Sequence, residues 1–305
     1  MPHRFALTAA VLAAPFAALL AAPAFAQAPK PGDVTTSAAI AGIAQFDTGL
    51  DQGGDFRWGG LQASGNVTRQ FASDFAAGVS LRYDYQDWSF DNPKAFGGVA
   101  PWSNVNAATI GLNLAWSPTP EWRIGFNPTV EWSGESGASA GDSLNYGAVL
   151  SATRIFSPDL VVGLGAGVFR QIDDTKVFPF LVVNWKITDR LRLNNPLQAG
   201  PAGGAGLELA YTLGDGWELG AGGSYRSYRF RLKSDGPVPG GIGENQFFPV
   251  FARLSYAFGA ATRLDFYAAA FVNGELNVMR ADGSDLYSDK YNAAPAVGLA
   301  FSHRF

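Results

Sequence analysis

Tyr291-Asn-Ala-Ala-Pro-Ala-Val-Gly-Leu-Ala-Phe-Ser-His-Arg-Phe305 is the stretch whose reading decides the fold. Val297, Leu299, Phe301, His303 and Phe305 share one parity, and Ala296, Gly298, Ala300, Ser302 and Arg304 share the other. Side chains of a strand alternate sides, so one face is apolar and the other is small and polar. Soluble domains commonly end in a frayed polar tail. Here the final residue, Phe305, belongs to the apolar face.

An alternating strand that ends in Phe resembles the terminal strand of bacterial outer-membrane β-barrels. In that family the assembly machinery reads this strand, so the resemblance implies that Phe301 and Phe305 form the assembly signal. His303 departs from the family pattern, which more often has Tyr or an apolar residue third from the end.

Upstream, the same alternation recurs with no helical period. The strands read as 36–46, 56–70, 75–90, 105–117, 121–132, 144–156, 160–171, 176–187, 190–197, 205–213, 217–232, 245–258, 263–276 and the terminal strand. The expected fold is therefore all-β, a transmembrane antiparallel up-and-down barrel of about 14 strands. Twelve is the alternative, because Pro196 cuts one strand short and two outer connections are brief. Tight turns such as Ser73-Asp74, Ser157-Pro158-Asp159 and Gly214-Asp215-Gly216 alternate with long polar loops such as 91–104 and 277–290. Short periplasmic turns and long outer loops are the pattern of an outer-membrane barrel. Trp116, Trp122, Trp185 and Trp217 sit beside tight turns on the apolar parity, where an interfacial girdle belongs. Trp132, Tyr83, Tyr85, Tyr146 and Tyr228 are candidates for the outer girdle.

The beginning of the chain agrees with this compartment. Arg4, the apolar run 5–22 and Ala24-Phe25-Ala26 make a signal peptide with cleavage after residue 26. Residues 27–35 then read as a short periplasmic leader and 36–305 as the barrel. Cys is absent, so no disulfide framework holds the exported chain. Charged residues make up 16% of the sequence, below the roughly 25% of soluble proteins. No basic cluster points to nucleic acid. The expected partners are outer-membrane lipid, lipopolysaccharide and the barrel assembly machinery, with no cofactor.

An arginine facing lipid at mid-membrane costs roughly 2 to 4 kcal/mol, so charged strand residues must turn toward the lumen. This gives the candidate pore lining: Arg82, Arg123, Glu131, Arg192, Glu218, Arg226, Arg229, Arg231, Arg253, Arg263 and Asp265. In strand 217–232, Glu218 and Arg226 share a parity that Arg229 and Arg231 do not. A β-bulge near Ser227 would bring all four inward and leave Tyr225, Tyr228 and Phe230 toward lipid. Phe178, Phe180, Phe247, Phe251, Tyr267 and Phe271 also point inward, a lining suited to a partly apolar solute.

Three motifs mislead. Gly163-Leu-Gly-Ala-Gly167 lacks the helix that a dinucleotide site requires, and its glycines fall on the inward parity, where small residues would open the lumen. Asp282-Gly-Ser-Asp285 and Asp289 lack the closing Glu of a calcium loop. His303, the only His after residue 26, faces lipid rather than a nucleophile, which argues against a lipid-acting enzyme. The sequence therefore predicts a porin-like passive channel for small, possibly anionic solutes, an excess of arginine on one wall favouring anions. A closed structural or adhesion barrel and a transporter of partly apolar solutes are the alternatives.

Overall fold

The computed structural model describes residues 30–197 and 200–305, so the expected signal peptide and the start of the leader lie outside the described residues. Sixteen strand segments follow one another: β1 (Val34–Gly49), β2 (Asp55–Ala72), β3 (Phe75–Asp91), β4 (Asn104–Thr119), β5 (Trp122–Glu135), β6 (Leu144–Ser157), β7 (Leu160–Gln171) and β8 (Asp174–Lys186). The second half holds β9 (Leu191–Asn194), β10 (Gly206–Gly214), β11 (Trp217–Ser224), β12 (Arg226–Arg231), β13 (Ile242–Ala257), β14 (Thr262–Met279), β15 (Asp285–Tyr291) and β16 (Ala294–Arg304).

These segments close into fourteen staves. β11 and β12 both pair with β13 in one register, Gly223 opposite Val250 and Arg226 opposite Phe247, and are one interrupted stave. β15 and β16 likewise share β14. β16 pairs with β1 from Ser37–Arg304 to Gln45–Ala296 and closes the barrel. The terminal stretch that sets the alternation is thus the closing stave, and the twelve-strand alternative falls away.

The molecule is apolar outside and polar within, because each stave has one face against lipid and one against the lumen. Val79, Leu81, Ile110, Leu112, Leu150 and Leu164 are exposed on the outer face. Trp116, Trp122, Trp185 and Trp217 are also exposed, beside the tight turns. The guanidinium of Arg154 lies over Trp122 and Phe156, a cation on an interfacial aromatic pair. Trp132, Tyr83 and Tyr146 are exposed toward the other rim.

In the outer part of staves 11 to 14 the wall turns inward. Irregularities lie side by side there: the interruption at Tyr225, a register shift between Gln246 and Phe248 where Asn273 has a φ of 51°, and the break at Asn292-Ala293. β12 crosses far enough to make a parallel bridge from Arg231 to Gly134 of β5. This corrects the expected bulge at Ser227. The register of β11 and β12 against β13 does not slip, and the parity conflict is resolved because both faces of β12 are covered by protein. Tyr228 and Phe230 consequently point into the barrel rather than toward lipid, Phe230 being fully buried.

Candidate functional site

The lumen is the candidate site, and its charges are arranged as a ladder. Arg192 of β9 pairs with Glu218 of β11, whose other oxygen lies 2.8 Å from Nη2 of Arg253 on β13. Arg253 donates from Nε to Glu208 of β10 at 2.9 Å and from Nη1 to Asp265 of β14 at 3.1 Å. Arg263 completes the row, its Nε 3.1 Å from Asp265. Three arginines thus meet three carboxylates, and the wall is neutral. The expected convergence of Arg253 and Arg263 on one wall occurs, but their unpaired excess does not. Glu208, which the same charge argument turns inward but which the expected anion preference did not set against these arginines, is the missing partner.

The other expected lining residues are spread over the lumen. Arg82 is paired with Asp84 on its own strand at 2.5 Å. Arg123 lies exposed near the inner end of β5. Arg229 bridges Asp173 at 2.5 Å and Glu244 at 3.1 Å. Arg231 donates to the carbonyls of Asp142 and Gly240, which ties β12 to two outer loops rather than to a pore. Arg226 donates to the carbonyls of Gly200 and Ala202 and to the Tyr228 hydroxyl. It thereby pins Gly200 and Ala202 inside the barrel, where Ala202 is wholly buried. Glu131 accepts from Thr109 and Asn145.

Toward the outer end the lumen is filled with aromatic rings. Trp58 stacks on Trp88 at 5.3 Å, Trp102 meets Trp88 edge-on at 5.6 Å, and Phe247 lies 4.4 Å from Phe271. Trp102 and Phe96 come from the β3–β4 connection, folded in over the opening. Trp58, Trp88 and Trp102 were not foreseen. The parity that Trp58 shares with Gln62 and Ser64, and Trp88 with Arg82 and Asp84, is the signal that places the first two inside. Glu135 holds this end shut, accepting from the backbone N–H groups of Ser103 and Lys233.

Among the described residues, the lumen holds cavities that share lining residues. An inner vestibule of about 370 Å³ is lined by Ser37, Gln62, Ser64, Thr109, Arg263 and Ser302 among others. Arg82 also lines the next, a chamber of about 50 Å³ between β3, β5 and β12. Asp84, Gln86, Arg226 and Tyr228 are shared with a third of about 20 Å³ that reaches Trp58. Beside β12 the wall is notched. β9 stops at Asn194, and among the described residues no strand pairs with Asp174–Pro179 on the side of β8 away from β7.

The glycines of β7 do not open the lumen as expected. Gly165 and Gly167 are seats for the rings of Phe180 and Phe178 on β8, and any Cβ there would overlap them. In the outer loop, Asp282 accepts from the backbone and hydroxyl of Ser284, and that bonding holds its carboxyl below the usual range. His303 bonds Thr262 at 2.7 Å and meets Phe305 edge-on.

A family model described as "Putative MetA-pathway of phenol degradation" matches residues 92–226. No curated protein matches the chain. Among solved structures, an outer membrane channel from Pseudomonas putida F1 is similar at 12% identity and a TM-score of 0.49, over 93% of this chain and 99% of that one. The Pseudomonas putida toluene transporter TodX is similar at 12% identity and a TM-score of 0.42, covering 92% and 91%. The KdgM porin follows at 14% identity and 0.32, covering 86% and 98%. None of these likenesses carries the assignment, which rests on this chain's own geometry. Closed on itself, with apolar side chains turned outward between aromatic girdles and a ladder of paired charges in its lumen, the protein is a β-barrel of the bacterial outer membrane.

Proposed function

We propose that the barrel is a channel for small, uncharged, partly apolar solutes, and not an enzyme. The carrying observation is the lumen itself, whose central wall is an electroneutral ladder and whose outer half is aromatic. A wall of paired charges offers little net potential to a passing ion, while rings and apolar side chains favour a solute with apolar surface. The anion preference expected from Arg226, Arg229, Arg231, Arg253 and Arg263 loses its basis once Arg229, Arg253 and Arg263 have carboxylate partners. The unpaired edge of β8 beside β12 is the proposed entry for the solute. Lipopolysaccharide around the outer rim and the assembly machinery acting on the closing stave are the proposed partners.

The filled outer end also fits a closed structural barrel. Planar bilayers containing the refolded protein test the channel reading. Small conductance with a zero-current potential near zero under a salt gradient is expected, and a large, strongly anion-selective conductance would overturn it.

A further inference from the structure

The chamber between β3, β5 and β12 is lined by two ionisable side chains that have no ion-pair partner within 4 Å among the described residues. Most lumenal ions are matched: Arg82 with Asp84, Arg229 with Asp173 and Glu244, and the ladder within itself. Glu131 and Arg226 are different. Among the described residues neither forms an ion pair, and both line this chamber. Glu131 is held by two neutral donors, Thr109 Oγ1 at 3.1 Å and Asn145 Nδ2 at 3.2 Å. Arg226, only 5% exposed, spends its terminal nitrogens on two carbonyls and a hydroxyl and keeps a buried Nε with no partner. A buried charge lacking an opposite partner is costly, and a polar bridge that satisfies it recovers part of that cost.

The two charges are opposite and line one chamber, and its other arginines, Arg82 and Arg229, are already paired with carboxylates, so the chamber has no net preference for an ion. An anion drawn to Arg226 meets Glu131 and Asp84, and a cation drawn to Glu131 meets Arg82 and Arg226. A hydroxyl has the matching chemistry, since its hydrogen can go to a carboxylate while its oxygen accepts from a guanidinium. A volume of about 50 Å³ is room for about four water molecules, enough for a polar head but not a whole aromatic solute. Tyr228 and Phe230 line the same space and offer apolar surface to the remainder.

We propose that this chamber is a recognition site for a hydroxyl group on a small uncharged solute, with Glu131 accepting its hydrogen bond and Arg226 donating one. The inference deepens the channel reading and rests on it for its role in transport, but binding is measurable without transport. Calorimetry on the full-length folded protein in detergent, with benzyl alcohol and benzyl methyl ether as probes, separates the two. The alcohol should bind roughly tenfold tighter than the ether, the worth of about one hydrogen bond to a charged group. Glu131→Gln should shrink that ratio to roughly threefold or less without changing ether binding. Equal affinity of the two probes for the native protein overturns the site, as does an undiminished ratio in Glu131→Gln. If that variant does not fold, the native ranking decides. Benzyl alcohol ahead of both benzoate and benzylammonium is expected, and either ion in first place contradicts the site. Discrimination without any solute uptake would defeat the channel reading and leave the site standing.

Discussion

Arg253→Gln should be among the most damaging single changes in the barrel. The guanidinium is in contact with Glu208, Glu218, Asp265 and Ser255, and its side chain is 2% exposed. Glu208 and Asp265 are themselves buried. Removing the cation leaves buried Glu208 with no ion-pair partner, while Glu218 and Asp265 keep only Arg192 and Arg263. Stranding a buried ion partner costs about 3–5 kcal/mol, or roughly 100- to 4000-fold in the folding equilibrium at 1.4 kcal/mol per tenfold. The assay is equilibrium unfolding of vesicle-inserted protein in guanidinium, followed by tryptophan fluorescence. Adding Glu208→Gln and Asp265→Asn should restore much of the loss, because the stranded charges go with the arginine. A loss below about 1 kcal/mol, the range of an exposed pair, would refute the reasoning and show Arg253 to be hydrated and available to a permeating ion.

Three further changes test separate parts of the structure. Val79→Arg, on the lipid face, should cost roughly 2–4 kcal/mol of folding into vesicles, while Ser64→Arg, lining the inner vestibule, should cost under about 1 kcal/mol. Gly167→Ala should lower stability by about 1–3 kcal/mol because its methyl group displaces the Phe178 ring, measured as a drop in the heat-modification temperature on gels. Glu135→Ala removes the acceptor of two backbone N–H groups and should speed hydrogen exchange at Lys233 and along Arg226–Arg231, with exchange in β2–β3 unchanged.

The strands were legible because lipid enforces a strict period of two, and because each tight turn is written in Gly, Pro, Ser and Asp. Parity places β13 correctly: an inward Arg253 follows from the apolar set Phe248, Val250 and Ala252. It failed at Tyr228 and Phe230, since parity presumes one wet and one lipid face and β12 has neither. The ladder was half legible. Arg253 and Asp265 come from paired staves, but Glu208 stands two staves away, and no local pattern says which inward carboxylate will face which arginine. The unmatched pair of Glu131 and Arg226 was beyond sequence for a related reason. Their meeting depends on the outer wall bending across the lumen, which is set by irregularities at Tyr225, Asn273 and Asn292 that leave hardly any trace in residue type.

Uptake of a charge-matched pair tests the central claim most directly. Labelled benzyl alcohol and benzoate have nearly the same size, and at low concentration the outer membrane of a porin-deficient cell limits their entry. Producing the protein in such cells should raise the initial rate for the alcohol severalfold and leave benzoate near its background. Equal acceleration of both, or acceleration of benzoate alone, would contradict a lumen whose charges are spent on one another.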